Sequence, residues 1–73
     1  MKAPEPSLDE TLALYAENWR LTLVDAARYP VAPEDVLAGA TIVRRQVIEV
    51  LVTGFDVSAD NAERLAEDCI VVP

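Results

Sequence analysis

This sequence lacks histidine altogether and contains a single cysteine, Cys69, and a single lysine. Without histidine the commonest general base is missing, and so are the Ser–His and Cys–His pairs that activate nucleophiles. One cysteine cannot form an internal disulfide, and with no histidine beside it a zinc site has almost no ligands. The two glycines, Gly39 and Gly54, are too few for a phosphate-binding loop. We therefore expect no enzyme activity, no cofactor and no metal.

Basic side chains are also scarce. Thirteen acidic residues outnumber six basic ones, which gives a net charge of −7, and residues 54–73 hold five acids and one base. A phosphate backbone repels such a chain, which argues against direct binding to nucleic acid. The same charge attracts the chain to a basic surface on another protein. The expected partner is therefore a protein, for example one in a nucleic-acid-handling complex.

Long apolar runs are missing as well. No uninterrupted apolar stretch approaches the roughly 18 residues of a membrane-spanning helix. The first ten residues, MKAPEPSLDE, lack the apolar core of a signal peptide. We expect a cytoplasmic protein without membrane contact. We also expect its 73 residues to divide into a mobile lead-in over 1–7 and a single helical domain over 8–73.

Helical periodicity is what the sequence does contain. Ser7 followed by Glu10 forms a capping box, and Pro30 ends the pattern that comes after it. The apolar side chains of this first helix recur on one side, namely Leu8, Leu12, Tyr15, Trp19, Leu23 and Ala26. Tyr15 and Trp19 are expected in the core, or as interface anchors if the domain is open on that side.

A second, longer helix follows and is the most apolar part of the chain. Pro33 with acidic residues behind it is a start signal, and Gly54 is the expected residue just past the end. The β-branched residues over 42–52 also fit a buried strand, but the start signal and the length favour a helix. Gly39 inside this helix costs roughly 1 kcal/mol relative to alanine, which close approach of another helix would explain. Arg44 is expected to pair with a carboxylate of a neighbouring helix.

Ser58 caps a third helix, which completes the predicted fold. Its inner side is apolar, and its outer side carries four carboxylates, here called the acidic face: Asp60, Glu63, Glu67 and Asp68. The predicted fold class is all-α, a compact three-helix domain with a long central helix, with helices at about 8–28, 33–53 and 58–70. Short connections favour antiparallel neighbouring helices.

The acidic face allows two interpretations. It can serve as charged surface that keeps a small protein soluble. It can also imitate the phosphate spacing of nucleic acid and occupy a partner's basic groove, as small acidic proteins of phages and mobile elements often do.

Three apolar residues lie outside the main predicted stripes, and we call them the apolar seam: Leu14, Leu21 and Ile42. Exposed leucines are ordinary when they occur singly. However, Leu14 and Leu21 are seven residues apart, and the chain has more apolar surface than one copy easily hides. The seam therefore predicts contact with another protein or with a second copy, and we expect a homo-oligomer.

These features favour a small non-catalytic protein-interaction module. The preferred function is inhibition of a partner through its basic groove, of the phage or mobile-element type such as an anti-CRISPR, with the acidic face as the binding surface. The alternative is a structural or accessory subunit that self-associates or packs into a larger complex through the apolar seam. An antitoxin-like protein ranks lower, because no basic DNA-binding part is visible in the sequence.

Overall fold

The computed structural model describes residues 6–73, and this part of the chain folds into three α-helices. They are α1 (Leu8–Arg28), α2 (Pro33–Phe55) and α3 (Ala59–Cys69). The predicted all-α, three-helix fold with a long central helix is confirmed, and the strand alternative for residues 42–52 is wrong. Most of the lead-in predicted over residues 1–7 falls outside the described residues.

Side-chain caps start two of the helices as predicted. The Ser7 Oγ accepts a hydrogen bond from the Glu10 amide at 3.2 Å. The Ser58 Oγ accepts one from the Asn61 amide at 3.3 Å. Each cap satisfies an amide that has no partner inside its own helix. The second helix starts instead with Pro33 at its first position.

The end of α2 differs from the prediction. Gly54 lies inside the helix, which continues through Phe55. The left-handed position belongs to Asp56, with φ 59° and ψ 28°, and the Val57 amide closes the end by donating to the Leu51 carbonyl at 3.0 Å. The extra residues let Phe55 pack against the core, and this packing outweighs the glycine signal.

The core lies mainly between α2 and α3. Its buried members are Trp19, Ala40, Val47, Leu51, Ala62, Ala66 and Ile70. Ala62 and Ala66 are small, so α3 can lie close against α2. The Cα atoms extend over 43 × 31 × 14 Å, so the domain is flat. A layer this thin leaves sides of its helices uncovered. None of the three helices is both long and apolar enough to cross a membrane.

Two side chains hold the segment that follows α3. The Arg44 Nε and Nη2 atoms both donate to the Ile70 carbonyl, at 2.9 and 2.6 Å. The Trp19 Nε1 donates to the Val71 carbonyl at 2.6 Å. The expectation that Arg44 pairs with a carboxylate is therefore wrong. The reason is that the last carbonyls of a helix lack partners within it, and Arg44 lies where it can supply the donors.

Candidate functional site

A groove runs between α1 and α2. It consists of three adjoining cavities of about 520, 190 and 330 Å³, and each shares lining residues with the next. The beginning of α1 meets the end of α2, and the end of α1 meets the beginning of α2, so the two helices are antiparallel. We call this feature the α1–α2 groove, and its main lining residues are Tyr15, Asn18, Trp19, Thr22, Val36, Gly39, Val43, Gln46 and Val50.

The α1–α2 groove opens on the side of the helix pair that α3 leaves uncovered. Ala16 of α1 lines a cleft against α3, and Arg44 of α2 bonds to the residue after α3. Asn18 follows Ala16 by two residues, Gln46 follows Arg44 by two residues, and both line the groove. Two residues are about 200° apart around a helix. Consequently α3 covers one side of the pair, and the groove lies on the other.

All three residues of the apolar seam lie along this open side. Leu14, Leu21 and Ile42 are 62%, 47% and 59% exposed. Residues three or four apart are neighbours on a helix surface. Leu14 and Leu21 flank Asn18 at four and three residues, and Ile42 is four residues from Gln46. Of the three, Leu14 lines the groove itself, whereas Leu21 on α1 and Ile42 on α2 line none of its cavities and lie beside it.

Aromatic side chains form the floor of the groove. Trp19 is only 4% exposed, and Tyr15 beside it is half-buried. Trp19 therefore belongs to the core, as expected, while its ring also lines the groove. A Cβ built on Gly39 would lie 3.9 Å from two atoms of that ring, which is ordinary van der Waals contact. Packing within this chain thus leaves room for a methyl group at Gly39.

One end of the groove is acidic and apolar. Asp25 and Asp35 line it, together with Tyr29 and Val31, which are both exposed. Neither lysine nor arginine occurs among the residues that line the three cavities. The local electrostatic character of the groove is therefore negative.

The other end of the groove holds a polar group that sequence reasoning missed. Thr11 is buried and lines the 520 Å³ cavity, the largest of the three in the groove, and its Oγ1 atom has no hydrogen-bond partner among the described residues. Thr11 precedes Tyr15 by four residues and so shares its side of the helix. That spacing was the available signal, but a threonine among apolar neighbours does not attract notice in a sequence.

The acidic face lies on the outside of α3, away from the groove. Its four carboxylates are exposed, whereas Ala62 and Ala66 on the inner side are buried. The ion pair found in residues 6–73 joins Arg20 to Glu17 on α1, where the hydrogen bond from the guanidinium lowers the pKa of the carboxyl. No group of three metal-ligating side chains occurs in that same stretch.

The single thiol is not an activated nucleophile. Burial raises the pKa of Cys69, and its Sγ donates to the Leu12 carbonyl at 3.1 Å. Because the thiolate is the reactive form, a raised pKa lowers reactivity at neutral pH. Cys69 therefore acts as a small packing residue between α3 and α1.

Two surfaces of the described residues thus stand out, the α1–α2 groove with its seam and the acidic face. The first is apolar with a negative end, and the second is charged throughout. No family model, curated protein or solved structure matches this chain.

Proposed function

We propose that this chain is a non-catalytic protein-interaction module, and that the open side of α1 and α2 is its main binding surface. The observation that supports this most strongly is the apolar seam along the α1–α2 groove. Single exposed hydrophobic residues are common on protein surfaces. Contiguous apolar surface rimmed by polar groups is instead typical of interaction sites. Here Leu14 lines a groove with an aromatic floor, and Leu21 and Ile42 are exposed on the two helices beside it.

Docking on this surface works by exclusion of water and not by chemistry on a substrate. Leu14, Leu21 and Ile42 would be covered, and the half-buried aromatic side of Tyr15 would lose its remaining solvent. Each aliphatic side chain moved from water to an apolar interface contributes about 1.5–3 kcal/mol when its burial is complete. An accessory subunit or an inhibitor that binds a partner helix can both use such a surface.

The test compares two matched double variants in an affinity capture from a lysate of the cells in which the protein naturally occurs. One is Leu21→Gln with Ile42→Gln in the seam, and the other is Glu63→Gln with Glu67→Gln in the acidic face. All four side chains are exposed, so circular dichroism should show unchanged folding. We expect the seam variant to lose a partner that the acidic-face variant keeps, at both low and high salt. A partner retained by the seam variant would contradict the assignment.

A second candidate function rests on the acidic face. Here the chain is an inhibitor of the phage or mobile-element type, for example an anti-CRISPR, that places α3 in a basic nucleic-acid-binding groove. The supporting observation is that Asp60, Glu63, Glu67 and Asp68 all project from one short capped helix. In the described structure no basic side chain pairs with them.

This candidate predicts a different result in the same capture experiment. Reversal of Glu67 and Asp68 to lysine should abolish partner binding, and high salt should release the wild-type complex because salt screens exposed charges. The fold should survive, since lysine at the C-terminal end of a helix interacts favourably with its dipole. Binding that is indifferent to both salt and reversal would exclude the acidic face as the contact surface.

A further inference from the structure

The α1–α2 groove is long enough to hold an additional α-helix. The two helices that form it are antiparallel and contain 21 and 23 residues. At 1.5 Å per residue their shared length is about 30 Å. On the opposite side α3 already packs against this helix pair. A helix laid in the groove would complete a four-helix arrangement, which is a common way to bury two helix pairs.

The lining of the groove defines what the apolar side of such a helix would meet. Trp19, Val43 and Val50 line it, and so does Leu14 of the apolar seam. Leu21 and Ile42, the other two seam residues, are exposed on the helix surfaces beside it. An amphipathic helix offers side chains at i, i+3, i+4 and i+7 that reach such a base in successive turns. Packing within this chain leaves room for a side chain at Gly39. A glycine at this position therefore lets the backbone of a bound helix come close.

Charge selects among possible occupants. Asp25 and Asp35 line one end of the groove. Arg28 and Arg45 line none of the three cavities, and within residues 6–73 neither forms an ion pair with Asp25 or Asp35. These two carboxylates are therefore not neutralised by an ion pair within this part of the chain. A helix with lysine or arginine on its flanks would find carboxylates, whereas a helix with acidic flanks would be repelled.

A second copy of this chain is the less favourable occupant. A two-fold dimer places the same surface against itself. Two negative grooves would then face each other on chains that each carry −7. This charge opposes pairing at low salt, although the seam is apolar.

From these observations we infer that the α1–α2 groove binds an amphipathic helix with basic flanks, supplied by a partner protein. This inference rests on the proposed function, because it names the class of partner that the open side takes. The seam supplies apolar contact, and Asp25 and Asp35 fix the direction of the helix by attracting its basic end.

The test titrates the isotope-labelled full chain with two synthetic helical peptides and follows backbone amide shifts. Both peptides have leucine at the same positions, and their polar positions are lysine in one and glutamate in the other. We expect the lysine peptide to shift amides along α1 and α2 and to change the fluorescence of Trp19, the single tryptophan. The glutamate peptide should leave both signals unchanged.

Matched variants separate groove binding from general attraction to an acidic protein. Asp25→Asn with Asp35→Asn should weaken the lysine peptide about three- to tenfold, which is the range for two partly screened ion pairs. Glu63→Gln with Glu67→Gln removes the same charge from the acidic face and should change the affinity less than twofold. Ile42→Gln should weaken binding through lost apolar contact.

The remaining outcomes overturn the inference in distinguishable ways. Equal binding of the glutamate peptide, or a dimer by light scattering that Ile42→Gln disrupts, would refute the basic helix and keep the open side as a binding surface. Lysine-peptide shifts confined to α3 would refute the groove as its site. If neither peptide nor a second copy perturbs the groove, this inference fails; the proposed function of the open side fails only if the seam variant also keeps its captured partner.

Discussion

Replacement of Arg44 by methionine should lower the free energy of unfolding by about 2–3 kcal/mol. Methionine keeps the apolar part of the side chain and removes the donors. The two bonds of Arg44 share one acceptor, the Ile70 carbonyl, so we count them as one charged hydrogen bond, which contributes about 1.5–3 kcal/mol. Ile70 is fully buried, and its carbonyl would lose this partner in a place with little access to water.

The helix dipole adds to this loss. The last turn of α3 contains no basic residue and ends with Glu67 and Asp68 nearby. Arg44 therefore brings a positive charge from α2 to the negative end of α3, an effect of about 0.3–1 kcal/mol. For a domain of this size, each kcal/mol shifts the melting temperature by about 4–8 °C, so the variant should melt roughly 10–20 °C lower.

Urea unfolding followed by circular dichroism and by Trp19 fluorescence measures the change. Arg45→Met is the matched control, because Arg45 is the next residue on the same helix and is exposed. We expect the control to stay within about 0.5 kcal/mol of wild type, as surface substitutions usually do. Arg44→Lys should recover the dipole part alone, since lysine is a point charge without the two-pronged geometry. Equal stability of Arg44→Met and Arg45→Met would refute the reasoning.

Four further predictions concern local backbone and thiol chemistry. Gly54→Ala should stabilise the chain to urea by about 0.5–1 kcal/mol, because Gly54 is helical and an added Cβ meets nothing within 4 Å; a loss of stability would contradict its place inside α2. Asp56→Gly should raise the free energy of unfolding by about 0.5 kcal/mol, because glycine adopts the left-handed conformation without strain and this gain exceeds the added entropy of the unfolded chain. Asp56→Ala should not show this gain. Gly39→Ala should stabilise the free chain by up to about 1 kcal/mol, but weaken the lysine peptide in the same titration. Cys69 should react with a thiol reagent more slowly than free cysteine at pH 7. Because folding raises the pKa of Cys69, its contribution to stability is full below the unfolded pKa and is lost as pH rises through the folded pKa. The Cys69→Ala variant should therefore lose less of its free energy of unfolding than wild type as the pH is raised.

The helix starts were predictable because their signals are local. Ser7 and Ser58 cap the amides three residues ahead, and this geometry depends on neighbouring residues alone. The end of α2 was not predictable in the same way. Gly54 fits a helix end as well as a helix interior, and the choice depends on whether Phe55 reaches the core, which is a tertiary contact.

The proposed binding surface was predictable only in part. The 3.6-residue period separates Leu14, Leu21 and Ile42 from the main stripes, and the structure shows them exposed. Whether residues of α1 and α2 share one open side depends on which side α3 covers. The position of α3 is fixed by packing of Ala62 and Ala66 and by the hydrogen bond to the Ile70 carbonyl. Their partners are distant in the sequence, so local patterns do not predict this position.

The flat shape, the negative charge and the exposed apolar surface of this chain together decide which occupant of the α1–α2 groove we propose. Its α3 covers one side of the α1–α2 pair and leaves the other with a groove that Trp19 lines and with exposed aliphatic side chains. A second copy would supply apolar surface but would also double the negative charge. A helix with basic flanks supplies the apolar surface and reduces the charge at the same time. The hydrophobic part of the interaction resists salt, whereas the contacts of Asp25 and Asp35 are screened. Binding to the groove should therefore weaken only modestly as salt increases, while binding through the acidic face would be lost, because that face has no apolar contact to retain.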